Sequence, residues 1–233
     1  MPTAPRCGAI PAIGTQGRQF GAGETRNVRV AGVAGIPTNA ESVVVNVTMT
    51  GSPGSGYVTA YPTGGALPNA SNVNIVPGGV RANTSVVKVG TGGQISLFVA
   101  ETSSDIIVDV LGSYGPGGGR VTTITPERFG DSRSSSPYGE GEVRNTQIAG
   151  RGSVPANATA VIANVTAVDP SAWGFLSVWP AGSAQPTASN LNFLAGQTVP
   201  NLVMIKLGAG GAISIANGRG ATHVLVDVMG YVV

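Results

Sequence analysis

The chain is poor in the residues that most catalytic and metal sites need. Among 233 residues there is one cysteine, Cys7, and one histidine, His223. A single thiol excludes an intrachain disulfide, and zinc would lack its three or four His or Cys ligands. Cys7 therefore reads as an incidental thiol near the terminus or as half of an intermolecular bridge. Charge is scarce too: 10% of residues are charged, against roughly 25% in an ordinary soluble domain. The eleven arginines and two lysines form no basic run, so the footprint of a nucleic-acid binder is missing. No apolar stretch is long enough for a membrane-spanning helix. The first residues, Met1 to Arg6, lack the charged-then-apolar order of a signal peptide. The chain then reads as a mature segment restarted with Met, as exported by other means, or as not exported.

What is abundant is turn chemistry. Thirty-six glycines and 16 prolines make up more than a fifth of the chain, without the Gly-X-Y period of collagen. Set in a sequence that is 42% apolar, they point to many short strands joined by tight turns.

The most informative feature is self-similarity. Asn46-Val47-Thr48 returns as Asn164-Val165-Thr166, 118 residues later. At the same offset Ser71 to Asn74 returns as Ser189 to Asn192, and Val108-Asp109-Val110 as Val226-Asp227-Val228. Across Asn27 to Gly112, 31 of 86 positions match their partners without a gap. Two copies of one domain follow, at 1–115 and 120–233, with a Gly/Pro linker at 116–119. The runs Ser42–Met49, Tyr57–Tyr61, Thr84–Val89, Ile95–Val99 and Ile106–Leu111 are strand-like, rich in apolar and β-branched residues and bounded by turn residues. In the second copy the strands are Ala160–Val165, Phe175–Trp179, Leu202–Leu207, Ala212–Ile215 and His223–Met229. Gly92-Gly93 and Gly210-Gly211 read as hairpin turns. The fold class expected is all-β: two tandem antiparallel β-sandwiches, jelly-roll or immunoglobulin-like, of about seven strands each.

An ordered series of strings in the second copy adds a resemblance. Val154-Pro155, Asn164 to Thr166, Gly174 to Pro180, Pro186 to Phe193, Gly196 to Leu202 and Val226 to Tyr231 together resemble a repeat module of secreted actinobacterial proteins. That resemblance implies a non-catalytic β domain that accompanies hydrolases or stands in tandem in cell-surface proteins. Pro126 to Arg133 is similar to the opening motif of such modules, an Arg followed by Asp-x-Arg. The first copy departs from it: at the aligned offset, Gly8 to Thr15 carries no Asp-x-Arg.

Catalysis finds little support. His223 has Asp105 as its counterpart and no nucleophile elbow beside it, so it reads as an exposed residue before a strand. The acids that recur are Glu24 with Glu142 and Asp109 with Asp227. Asp109 and Asp227 sit inside apolar strands, where a lone carboxylate is expensive to bury. Both lysines, Lys88 and Lys206, occupy equivalent positions; they read as ion-pair partners of those aspartates, as stems over apolar surface, or as part of a repeated binding face. Asn46, Asn72, Asn164 and Asn190 fit structural amides better than sugar contacts. Tyr57 and Tyr61 align with Phe175 and Trp179 and share one strand face, either core anchors or an aromatic platform. Trp173, in the turn before that strand, is the best single candidate for an exposed contact.

The candidate binding set is therefore Trp173, Trp179, Tyr57, Tyr61, Lys88 and Lys206, with Asn46, Asn164, Asn72, Asn190, Asp109 and Asp227 as structural polar residues. No catalytic residue, cofactor or metal is expected. The function expected is a non-catalytic structural or binding module outside the cell, meeting a polysaccharide or a protein partner, with homo-oligomers allowed. The alternative is a subunit of a larger assembly such as a virion decoration or tail protein.

Overall fold

In the computed structural model, which describes residues 18–233, the chain divides between Gly118 and Gly119 into two compact units. Cys7 and the segment 8–15 lie outside the described residues. Unit 1 contains β1 (Thr25–Arg29), β2 (Ser42–Thr50), β3 (Gly56–Pro62), β4 (Val73–Ile75), β5 (Arg81–Lys88), β6 (Gln94–Ala100) and β7 (Asp105–Tyr114). Unit 2 contains β8 (Val121–Asp131), β9 (Val143–Gln147), β10 (Ala160–Val168), β11 (Gly174–Pro180), β12 (Leu191–Phe193), β13 (Val199–Lys206), β14 (Ala212–Asn217) and β15 (His223–Val232).

Unit 2 has two four-stranded antiparallel sheets, β13-β10-β15-β8 and β12-β11-β14-β9. Its first strand pairs with its last, its second with its seventh, its third with its sixth and its fourth with its fifth. That is one long hairpin wound into a sandwich, the jelly-roll arrangement. The tandem antiparallel β-sandwich is thus the fold, and the jelly roll rather than the immunoglobulin pattern is its topology. Unit 1 repeats the plan with β1-β6-β3-β4 and a three-stranded sheet, β5-β2-β7.

Alternation along each strand builds the cores. Val43, Val45, Val47 and Met49 of β2 turn into the core of unit 1. Val161, Ala163, Val165 and Ala167 of β10 do the same in unit 2, against Leu176, Ile213 and Ile215. The Gly-Gly turns need correction. Thr91–Gly93 and Ala209–Gly211 are single 3₁₀ turns, and Gly92 and Gly210 do take positive φ. However, β5 and β6 belong to different sheets, as do β13 and β14, so these turns carry the chain across the sandwich rather than closing hairpins.

Candidate functional site

Three loops gather at one end of unit 2: 169–173 between β10 and β11, 194–197 after β12, and 218–222 between β14 and β15. They are tied by backbone bonds, Gly196 N to Pro170 O (2.7 Å) and Ser171 N to Ala221 O (2.8 Å), and by Ala221 N to Ser171 Oγ (2.8 Å). Asn217, fully buried, donates from Nδ2 to the carbonyls of Gly220, Tyr138 and Gly139 at 2.9–3.2 Å. Glu140 Oε2 accepts from Gly220 N at 3.1 Å. On this framework stands Trp173, 57% exposed, with the Arg219 guanidinium 4.3 Å above its ring. A large, amphipathic ring is thus held outside the core with a cation stacked on one face.

The other aromatics lie elsewhere. Trp179 and Tyr61 face away from the cores, since Leu176, Val178 and Val58 take the inner face of their strands. Even so they are buried, Trp179 to 5%. In unit 2 the chain after β11 roofs that outer face: Ser183 O accepts from Trp179 Nε1 (3.1 Å) and Ala188 O from Ser177 Oγ (2.8 Å). In unit 1, Ala70 O accepts from Thr59 Oγ1 at 2.5 Å. The pair is therefore neither core anchor nor open platform. Tyr57 and Phe175 are half-buried at the start of the same strands.

The asparagines are joints. Asn190 Oδ1 accepts from Val178 N (2.6 Å), and Asn72 Oδ1 from Ala60 N (2.7 Å). Each amide extends a three-residue strand by one ladder bond. Asn83 Nδ2 donates to Asn72 O at 2.9 Å, and Asn201 Nδ2 to Asn190 O, so the same residue ties its sheet to the opposite one. Asn46 and Asn164 instead sit on the outer strand face, opposite Asp109 and Asp227 in register. Asn46 Oδ1 accepts from Thr84 Oγ1 at 3.2 Å.

The lysines do not pair with those aspartates. Lys88 and Lys206 are exposed, opposite Ser42 and Ala160, four positions along and two strands across from the aspartates, roughly 16 Å away. Lys206 also lies at the far end of β10 from the loop that carries Trp173, so the two do not form one site. Asp227 takes its cation from β8: Arg128 Nε and Nη2 donate to Oδ1 and Oδ2 at 2.7 and 2.9 Å. Asp131 accepts from Arg128 and Arg133, and the Arg133 guanidinium holds its carboxyl far below the usual range. Among the described residues no cation lies against Asp109, and burial pushes its carboxyl up to about 6. His223 is half-buried, with Nδ1 3.3 Å from Ser132 Oγ, which also accepts from Val224 N. No carboxylate hydrogen-bonds to it, and no cluster of metal ligands occurs, among the described residues.

No family model and no curated protein matches the chain. Among solved structures, the N-terminal CBM22-1-CBM22-2 tandem domain of Xyn10C from Paenibacillus barcinonensis is similar at 12% identity, with a TM-score of 0.27, over 99% of this chain and 100% of that one. A likeness at that score carries no argument about this chain.

Two residues of the loop end escape sequence reading, Arg219 and Asn217. A signal for them exists in the repeat itself. Their counterparts are Glu101 and Val99, and that of Trp173 is Ser55. The two longest runs of mismatch between the copies, 49–55 with 167–173 and 97–107 with 215–225, contain these positions, whereas Asn72 and Asn190, which build the sandwich, are kept.

Proposed function

We propose that the protein is a non-catalytic extracellular binding module whose second unit recognises a polysaccharide through the loop end around Trp173. One observation carries the reading: a tryptophan 57% exposed, fixed by bonded loops and covered on one side by Arg219. The flat face of an indole matches the apolar face of a sugar ring, and a guanidinium beside it supplies donors to ring hydroxyls. A jelly roll presents such loops on a rigid base, so little ordering is required on binding. Its counterpart in unit 1, with Ser55 and Glu101, lacks both groups, which makes the contact a property of the second unit. This rests on a resemblance to actinobacterial cell-surface modules only for its setting, not for its site.

The test is a glycan array of neutral and acidic polysaccharides probed with the 233-residue chain, alongside Trp173→Ala. Binding that weakens on the order of thirtyfold or more in the variant supports the reading. Binding unchanged in Trp173→Ala overturns the site. Spontaneous oligomers without glycan affinity would instead favour the assembly subunit. Turnover of a polysaccharide that disappears in Asp227→Asn would overturn the non-catalytic assignment.

A further inference from the structure

Four guanidinium groups lie over aromatic rings among the described residues, and three of them spend their donors inside the fold. Arg26, 4.1 Å from the centroid of Phe20, donates to Glu24, and Arg144, 4.4 Å from that of Tyr138, donates to Glu142. Arg151, over Phe129, donates to the Phe129 carbonyl at 2.7 Å. Arg219, 4.3 Å from the Trp173 ring, is exposed, and its guanidinium bonds no carboxylate or carbonyl among the described residues. Two acids belong to the same loop end, Glu140 and Asp169. Glu140 Oε2 accepts from Gly220 N, and neither acid forms an ion pair with Arg219 among the described residues.

The fork is nevertheless held in place. Gly218 N donates to Phe175 O and Asn217 Nδ2 to Gly220 O, both at 2.9 Å, so the chain is anchored on each side of Arg219. Gly174 lets that chain approach: a Cβ there would stand 3.1 Å from the Arg219 carbonyl. The Trp173 ring then orients the planar head. A fork fixed with its donors unused loses little freedom when a ligand arrives. The floor beside it is apolar. Trp173 and Leu194, 57% and 46% exposed, flank the last ladder pair of β11 with β12, Gly174 opposite Phe193.

A carboxylate is the planar group that takes both prongs of a guanidinium, and the sugar that carries it offers an apolar ring face to an indole. With one cation against two acids, this end presents no strong positive field, so a densely charged polyanion gains little from it. We infer that the ligand of the loop end is an acidic polysaccharide of the uronate class, its carboxylate gripped by Arg219 and its ring laid on Trp173. This deepens the reading of the loop end as a glycan site and rests on it.

The experiment is calorimetric titration of the full chain with oligosaccharides of galacturonate, mannuronate and glucuronate. Each is paired with its carboxyl-reduced neutral form, dextran sulfate and neutral glucans serve as further probes, and thermal melts check that every variant folds. A uronate should bind on the order of tenfold or more tightly than its reduced form, and the preference should shrink in molar salt. Arg219→Gln should bring the two forms to equal affinity, whereas Trp173→Ala should weaken both. Arg219→Lys, which keeps the charge without the fork, should lose most of the preference; full preference in that variant overturns the two-pronged contact. Equal affinity of the parent chain for the two forms, or a preference that survives Arg219→Gln, overturns the inference and leaves the glycan reading standing. So does binding of neutral glycans alone that is lost in Trp173→Ala. Dextran sulfate bound as tightly as a uronate overturns the carboxylate class. Binding of no glycan at all, or binding unchanged in Trp173→Ala, overturns the glycan reading itself.

Discussion

The side chain of Asn190 does the work of a backbone carbonyl for Val178, accepting from its N–H at 2.6 Å one residue before β12 begins. Asn72 and Ala60 repeat the arrangement at 2.7 Å in unit 1. With Asn201 or Asn83 bonding to the same residue's carbonyl, each joint fastens one sheet to the other at the corner where the hairpin tip folds over. The fourth and fifth strands therefore need a specific amide, not merely apolar faces.

Asn190→Ala should accordingly destabilise unit 2 by about 1–3 kcal/mol, the cost of leaving the buried Val178 N–H without an acceptor. Both tryptophans lie in unit 2, so urea unfolding followed by their fluorescence reads that unit alone. A midpoint that stays put in Asn190→Ala, with unchanged slope, would sink the assigned role.

The two tryptophans should part sharply when truncated. Trp179 is roofed and hydrogen-bonded to Ser183 O; its replacement by alanine should cost about 3–5 kcal/mol. Trp173 lies in the open against Arg219, and Trp173→Ala should cost under about 1 kcal/mol. Thermal melts of the two variants decide this. Equal losses would mean that Trp173 is a packing residue and unsuited to a ligand surface.

The sandwich and its tandem repetition were legible because β-branched runs and a fixed offset leave strong marks. Strands of three residues, β4 and β12, leave almost none, and β1 and β9 are polar edge strands with a single buried position each. The Gly-Gly turns were legible as turns but not as crossings, since positive φ is a local property and sheet membership is not. The aromatic pair exposed a similar gap: alternation gave its common face, while the roof over that face comes from chain well removed in sequence. At the loop end only Trp173 stood out. Arg219 and Asn217 acquire meaning through three-dimensional neighbours that no single-residue preference encodes.

The ion pair of Arg128 with Asp227 joins β8 to β15 with ideal two-pronged geometry, yet both side chains are partly in water, 41% and 26% exposed. Solvent screening limits such a pair. A double-mutant cycle of Arg128→Gln and Asp227→Asn should give a coupling under about 1 kcal/mol, falling further in molar salt. A coupling of several kcal/mol would show that the pair is shielded from water, contrary to these exposures.

Acid should loosen one joint in each unit. Glu24 accepts from Arg26, Gly21 N and Arg18, which hold its carboxyl at about 2, well below the ordinary 4.5. Glu142, through Arg144 and Gly139 N, is likewise lowered. Each arginine also lies over an aromatic ring of its unit, Arg26 over Phe20 and Arg144 over Tyr138. A carboxylate whose folded value is depressed contributes stability that is complete above its unfolded value, and this is lost as the pH falls through the folded one. For Glu24 the loss should therefore run from about pH 4.5 to about pH 2. Thermal melts of the parent chain and of Glu24→Gln should differ by a constant amount at pH 5 and above, and converge as the pH approaches 2. The difference stays modest, because these carboxylates lie at the surface. A gap that holds steady from pH 6 to pH 2 would mean that the glutamate acts through packing or shape and not through its charge.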